Sequence, residues 1–208
     1  MEVVKYLFRI AISFLLFAYS SSGISSQEEL AQTFARFDKL EMDFTQEVYD
    51  QFANLIEVSV GKCRISKPSI EWQTIEPYQQ SILLSRDTLK IFDPDLEQLI
   101  VKKIGADTER IPLNLLVNES VSFKNFAVTK LKNDLSANSL YSLLPVTEHA
   151  TYYSRIEIET NGNMLKTIKI FGLSGEATKI KLSNNKSLSG EDLILQLEVP
   201  KGTDIVDG

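Results

Sequence analysis

The apolar positions of this chain follow three different patterns along its length. From residue 10 to residue 19 they form a run broken only by Ser13, with Lys5 and Arg9 before it and Ser20, Ser21, Ser22 and Gly23 after it. A basic start, a short apolar stretch and then small residues make the three-part pattern of a secretory signal peptide, cleaved after Gly23. The run is too short to cross a bilayer, which takes about 20 apolar residues. Residues 1–23 are therefore predicted to be an export signal, and residues 24–208 a single domain. Next, Leu30, Phe34 and Phe37 recur at the helical spacing i, i+4, i+7, and Ser26 and Glu29 stand three apart as in a capping box. The spacing predicts a helix over 27–39, whose apolar stripe, taken alone, is core packing.

From Met42 onward the period is two. Ile56, Val58 and Val60 alternate with Glu57 and Ser59, and beyond Gly61 the phase reverses, so that Cys63 and Ile65 are apolar between polar neighbours. A slip of one residue at a glycine predicts a β-bulge there, with Cys63 inward and inert. Further strands are predicted over 80–85, 89–92 and 98–104. Ile156 and Ile158, Ile168 and Ile170, and Ile180 and Leu182 repeat the alternation, with Asn161-Gly162 as a hairpin turn. Leu193, Leu195, Leu197 and Val199 close the series. Many short strands at regular spacing predict an antiparallel sandwich or barrel. One segment interrupts it: Pro112 followed by Leu113, Leu116 and Val117 predicts a short helix.

Composition narrows the chemistry. One Cys rules out an intrachain disulfide, and one Cys with one His is too few for a His/Cys zinc site. A net charge of −6 lacks the basic field that nucleic acid requires. His149, the single His, has no nucleophile or orienting acid near it in sequence, so it reads as a loop residue. Residues 93–97 carry Asp93, Asp95 and Glu97, but Gln98 and Ile104 replace the Gly and Glu that a calcium loop needs at those offsets. A tight turn at Asp93-Pro94-Asp95 is the reading adopted. Phosphate loops, nucleophile elbows and metalloprotease helices are missing. No catalytic set is found and no cofactor is implied, so the chain reads as a binding or carrier protein and not an enzyme.

Several motifs, taken in order, resemble one family. Met42-Asp43-Phe44-Thr45-Gln46, Lys67-Pro68-Ser69-Ile70-Glu71-Trp72, Pro77-Tyr78-Gln79-Gln80, Phe92-Asp93-Pro94-Asp95-Leu96-Glu97-Gln98, Ile111-Pro112-Leu113 and the ending Leu197-Glu198-Val199-Pro200-Lys201-Gly202-Thr203-Asp204-Ile205-Val206-Asp207 are similar to segments of the LolA-like outer-membrane lipoprotein carriers. The resemblance covers nearly all of residues 24–208. It implies an incomplete antiparallel β-barrel of about eleven strands with a lid of short α-helices, a fold wide enough to leave interior space. It implies a periplasmic carrier that takes triacylated lipoproteins from an inner-membrane ABC exporter to the outer membrane and its lipoprotein receptor, acting as a monomer. The cavity and lid are expected to use Phe34, Phe44, Lys67, Ile70, Trp72, Ile82, Phe92, Leu113 and Leu116. The family's cation before Pro is usually Arg, proposed to hold the lid shut by hydrogen bonds. Here it is Lys67, which lacks the planar donor fork. The alternatives are a lipid or lipoprotein sensor on the same half-barrel, and a carrier of another amphiphile such as a glycolipid.

Overall fold

The computed structural model describes residues 24–104, 116, 123–133, 138–146, 153–190 and 193–207. The predicted export signal, Leu113 with most of its segment, and His149 lie outside the described residues. A helix, α1 (Ser26–Ala35), comes first. Its cap is Ser25, one residue before the expected Ser26, with the hydroxyl accepting from the Glu28 amide at 3.1 Å. Glu28 and Glu29 then occupy the first turn, where the helix dipole favours negative charge. The helix stops four residues short of the predicted end, because Lys39 already belongs to a strand.

The strands are β1 (Lys39–Tyr49), β2 (Leu55–Ser66), β3 (Ser69–Glu76), β4 (Gln80–Leu84), β5 (Thr88–Asp93), β6 (Gln98–Lys103), β7 (Phe126–Asn133), β8 (Asn138–Pro145), β9 (Tyr153–Asn161), β10 (Met164–Gly172), β11 (Ala177–Ser187) and β12 (Asp204–Asp207). They form one 12-stranded sheet in the order β12-β6-β5-β4-β3-β2-β1-β11-β10-β9-β8-β7. Every neighbouring pair is antiparallel except β12 with β6, which is parallel. The two ends of the order, β7 and β12, do not pair with each other, so the barrel is incomplete, as the resemblance implied. β1 to β11 supply the antiparallel wall, and β12 adds a short edge.

Residues directly opposite each other in a ladder share a face. Met42, Cys63, Trp72 and Ile82 are successive partners across β1 to β4 and stand on the inner face, with α1 over it. The same rule locates the irregularity expected at Gly61. The β1–β2 register runs without a slip from Lys39 opposite Ser66 to Val48 opposite Glu57. Ile56 and Val58 therefore do not join Cys63 and Ile65 inside; both are exposed. The irregularity lies one strand over. Val60 is opposite Glu76 and Gly61 is opposite Thr74, which leaves Ile75 of β3 as the extra residue.

The predicted strand over 193–199 is also corrected. These residues form no ladder; they are an extended strap in which Leu195 is buried and Ile194 exposed. Alternation arises there because a straight chain lies on the sheet. The Ser66 hydroxyl donates to the Leu193 carbonyl, and the Lys39 amine to that of Gly190. Glu198 shares a cleft of about 300 Å³ with Arg64, Glu71, Gln73, Ser81 and Phe92, so the strap crosses the outer face of β2 to β5.

Candidate apolar ligand site

The inner wall is organised around Phe44 and Trp72. Their rings stack at 3.8 Å between centroids and 20° between planes, although β2 lies between their strands. The contact is possible because the β2 residue opposite Phe44 is Gly61. A Cβ built on Gly61 would lie 2.7 Å from Phe44 Cζ and would overlap the Gln73 carbonyl oxygen. The glycine thus makes room for an aromatic ring to lie flat across a strand. Ile70 is fully buried opposite Ile65 and Leu84, and extends the wall toward the β2–β3 turn.

Leu30 and Phe34, both fully buried, are the face that α1 turns to this wall. Phe34 makes edge-on ring contacts with Phe37 at 5.4 Å and Phe123 at 5.3 Å. Each end of the helix is tied to the sheet by a lysine. At its C-terminal end the Lys67 amine donates to the Phe34 carbonyl at 2.9 Å. This is where helix carbonyls lack intrahelical partners and the dipole favours a cation. Burial pulls the Lys67 pKa below the usual lysine value, and the Asp38 charge partly opposes that. At the other end the Lys130 amine of β7 meets Glu29 Oε1 at 2.6 Å and lies 5.5 Å from the Tyr141 ring centroid. The Lys130 hydrogen bond holds the Glu29 carboxyl below the ordinary carboxylate value, and raises the lysine in turn.

Of the residues expected at the site, Phe34, Phe44, Ile70, Trp72 and Leu116 belong to one buried cluster, and Ile82 packs against it. Leu116 is helical and almost fully buried. Lys67 reaches the cluster through α1. Phe92 is placed elsewhere. It is opposite Ser81, whereas its neighbour Ile91 is opposite Ile82, so Phe92 looks to the outer face under the strap. Leu113 lies outside the described residues.

Sequence reasoning left out the other half of the wall. Tyr141, Leu143, Ile156, Ile158, Ile180 and Leu182 belong to the same cluster. The alternation of the isoleucines was visible, but only the ladders show that they face Phe34 rather than a separate core. Nor did the sequence offer a signal for the pairing of Glu29 with Lys130, 101 positions apart.

The site presents apolar surface rather than reactive groups. Burial, with the Glu71 charge adding to it, pushes the Cys63 thiol far above its usual value, so it carries no thiolate. The Asp93 carboxylate accepts from the amides of Asp95 and Leu96 and so closes its own turn. Among the described residues no cluster of His, Cys, Asp and Glu is arranged to hold a metal ion, and no helix is long and apolar enough to cross a membrane.

Comparison with known proteins adds a family. Residues 35–190 match the model described as "Outer membrane lipoprotein carrier protein LolA". The outer-membrane lipoprotein carrier protein of Francisella tularensis subsp. tularensis (strain WY96-3418) is 27% identical over 202 residues, 96% of this chain and 97% of the relative. That of Xanthomonas oryzae pv. oryzae (strain MAFF 311018) is 25% identical over 170 residues, 81% of each chain. Among solved structures, an uncharacterized conserved protein from Thermus thermophilus superposes with a TM-score of 0.56 at 7% identity, over 88% of this chain and 100% of that chain, a likeness of fold.

Proposed function

This chain belongs to the outer-membrane lipoprotein carrier (LolA) family, and from that premise we propose that it is a periplasmic, non-enzymatic carrier of triacylated lipoproteins. In this reading the acyl chains lie against the inner wall at Phe44, Ile70, Trp72 and Ile82, with Phe34, Leu113 and Leu116 on the lid and Lys67 as its catch. The chain works as a monomer. It receives its cargo from an inner-membrane ABC exporter and delivers it to the outer membrane, where a lipoprotein receptor accepts it in species that have one.

The observation that carries the reading is an apolar wall covered by a helix that two lysines tie down. Each acyl CH₂ left in water costs about 0.8 kcal/mol, so three acyl chains cannot cross the periplasm uncovered. A carrier needs apolar surface of similar extent, yet it must also let go. When α1 and the lid return to the wall, the same residues bury one another, which favours release. Two charge-assisted bonds at the ends of a short helix are strong enough to define that closed state, and weak enough to break when a ligand supplies replacement burial.

Capture of a fluorescent triacylated lipopeptide tests this directly. The wild-type protein is expected to hold it in a soluble complex, and Leu116→Asp to lose that capture while its circular dichroism stays native. A folded variant that still captures at the wild-type level would overturn the lid assignment. Mass spectrometry of protein purified from the periplasm decides the cargo. Bound triacyl lipoprotein supports the carrier; a bound glycolipid would replace it with a different cargo.

A further inference from the structure

The tip of the first hairpin takes no part in the carrier reading, and it departs from the rest of the sheet. β2 pairs with β1 from Leu55 to Ser66, with one irregularity that leaves Ile56 as an extra residue between Leu55 opposite Tyr49 and Glu57 opposite Val48, but with β3 only from Val60 to Ser66. β3 ends at Glu76, and the next residue, Pro77, has no N–H with which to extend the ladder. Among the described residues, nothing pairs with positions 55–59 of β2 on that side. The same stretch carries Leu55, Ile56 and Val58 at 53%, 63% and 45% exposure, with Phe52 exposed at the turn and Ile75 and Tyr78 exposed across the gap. An open edge rich in β-branched residues is a template for pairing, which proteins normally blunt with lysine, proline or a bulge. Here irregularities fall at Ile56 and at Ile75 and a proline at Pro77, but neither residues 50–61 nor residues 73–80 contain a Lys or Arg.

We propose that positions 55–59 of β2 are a strand-addition site for an extended segment of a partner polypeptide, alternately apolar and basic. Main-chain hydrogen bonds to the open edge supply affinity, and alternate side chains supply selectivity. On the outer face the partner's apolar residues lie beside Val58, which the β1–β2 ladder places there opposite Glu47. On the inner face the partner meets Glu57, opposite Val48, while Glu76, opposite Val60 on the outer face, adds negative charge at the end of the gap. The inward position of the partner that faces Glu57 is therefore cationic.

That charge also selects among occupants. Two copies of this chain joining their β2 edges antiparallel about position 57 would set Glu57 against Glu57, a repulsive cross-strand pair. An anionic bilayer meets the same repulsion and leaves the edge amides without partners. The site stands apart from the lid and wall, so it can fail while the carrier reading holds, and the reverse.

The full exported chain is mixed with a synthetic peptide of alternating Val and Lys, or one of alternating Val and Glu, and amide hydrogen exchange is followed residue by residue. The Val/Lys peptide is expected to slow exchange at positions 55–59, and to bind about fivefold tighter than the Val/Glu peptide, the scale of a cross-strand charge pair. Glu57→Lys, an exposed change that leaves the fold intact, is expected to reverse that order. Lipopeptide capture by the same variant is measured in parallel and is expected to stay unchanged. Equal binding of both peptides overturns the proposal. So does protection confined to β7 or β12, a homodimer that buries positions 55–59 in sedimentation, or protection of those positions by anionic vesicles and not by the peptides.

Discussion

Gly61→Ala is the most demanding test of the inner wall, because it adds one methyl at the crossing of three strands. The added Cβ would lie 2.7 Å from Phe44 Cζ and inside the contact distance of the Gln73 carbonyl oxygen. The first neighbour can move only by breaking the 3.8 Å stack on Trp72; the second is backbone and moves only if β2 and β3 separate. Overpacking of this kind costs about 1–3 kcal/mol, and a lost aromatic stack adds about 0.5–1.5 kcal/mol. Alanine also restricts the unfolded chain, which offsets about 0.4–1 kcal/mol. The net expectation is a loss of about 2 kcal/mol, or roughly 4–8 °C in melting temperature for a domain of this size. Thermal melts followed by near-ultraviolet circular dichroism are the assay. Trp72 is the single Trp of the chain, so its band reports this stack alone. Phe44→Leu in the same background removes the ring but not the Gln73 overlap, so it is expected to relieve part of the cost. A Gly61→Ala protein that melts at the wild-type temperature with an unchanged Trp72 band would refute the close approach.

Three further outcomes follow from the same geometry. Lys67→Met removes the bond to the Phe34 carbonyl, destabilises the closed lid, and is expected to raise lipopeptide affinity about fivefold, mainly through slower release, as measured by dilution of the preformed complex. Glu29 is held below its ordinary pKa by Lys130, so their contact stabilises the fold above the ordinary carboxylate value and is lost as pH falls through the lowered one. Because Glu29 is partly exposed the effect is small: Glu29→Gln is expected to melt a degree or two below wild type at neutral pH, on the scale of about 0.5 kcal/mol, and to match it in acid. The Cys63 thiol, buried and pushed upward, is expected to react with a thiol reagent only at the rate of unfolding, so labelling in native buffer within minutes would contradict its placement.

Much of the architecture was readable from period alone. The alternation of Ile156 with Ile158, Ile168 with Ile170 and Ile180 with Leu182 marked strands that the ladders then align side by side. Leu30 and Phe34 marked the buried face of α1, with Phe37 buried just beyond its end, and the Asp93 turn followed from its own residues. What period two cannot state is which face is which. Ile91 and Phe92 are adjacent and both apolar, and only the partners across β4 send one inward and the other under the strap. The phase reversal at Gly61 reads as a bulge, and the β2–β3 ladder does slip between Val60 and Gly61, but the extra residue is Ile75 of β3. β2 stays in register with β1 from Ser66 to Glu57 and has apolar residues on different faces at its two ends.

The local sequence by itself therefore determined the elements: one capped amphipathic helix, a series of two-faced strands, and turns whose residues close their own hydrogen bonds. These depend on neighbours within a few positions, and a linear pattern records such neighbours. Tertiary structure alone decided the site. It brought Lys67 to Phe34, Lys130 to Glu29, and Phe44 across Gly61 to Trp72. It also left Ile56 and Val58 facing outward at an open edge. Those outcomes depend on which strands become partners and in what register, and a change of one residue in register exchanges the two faces of a strand without altering its pattern.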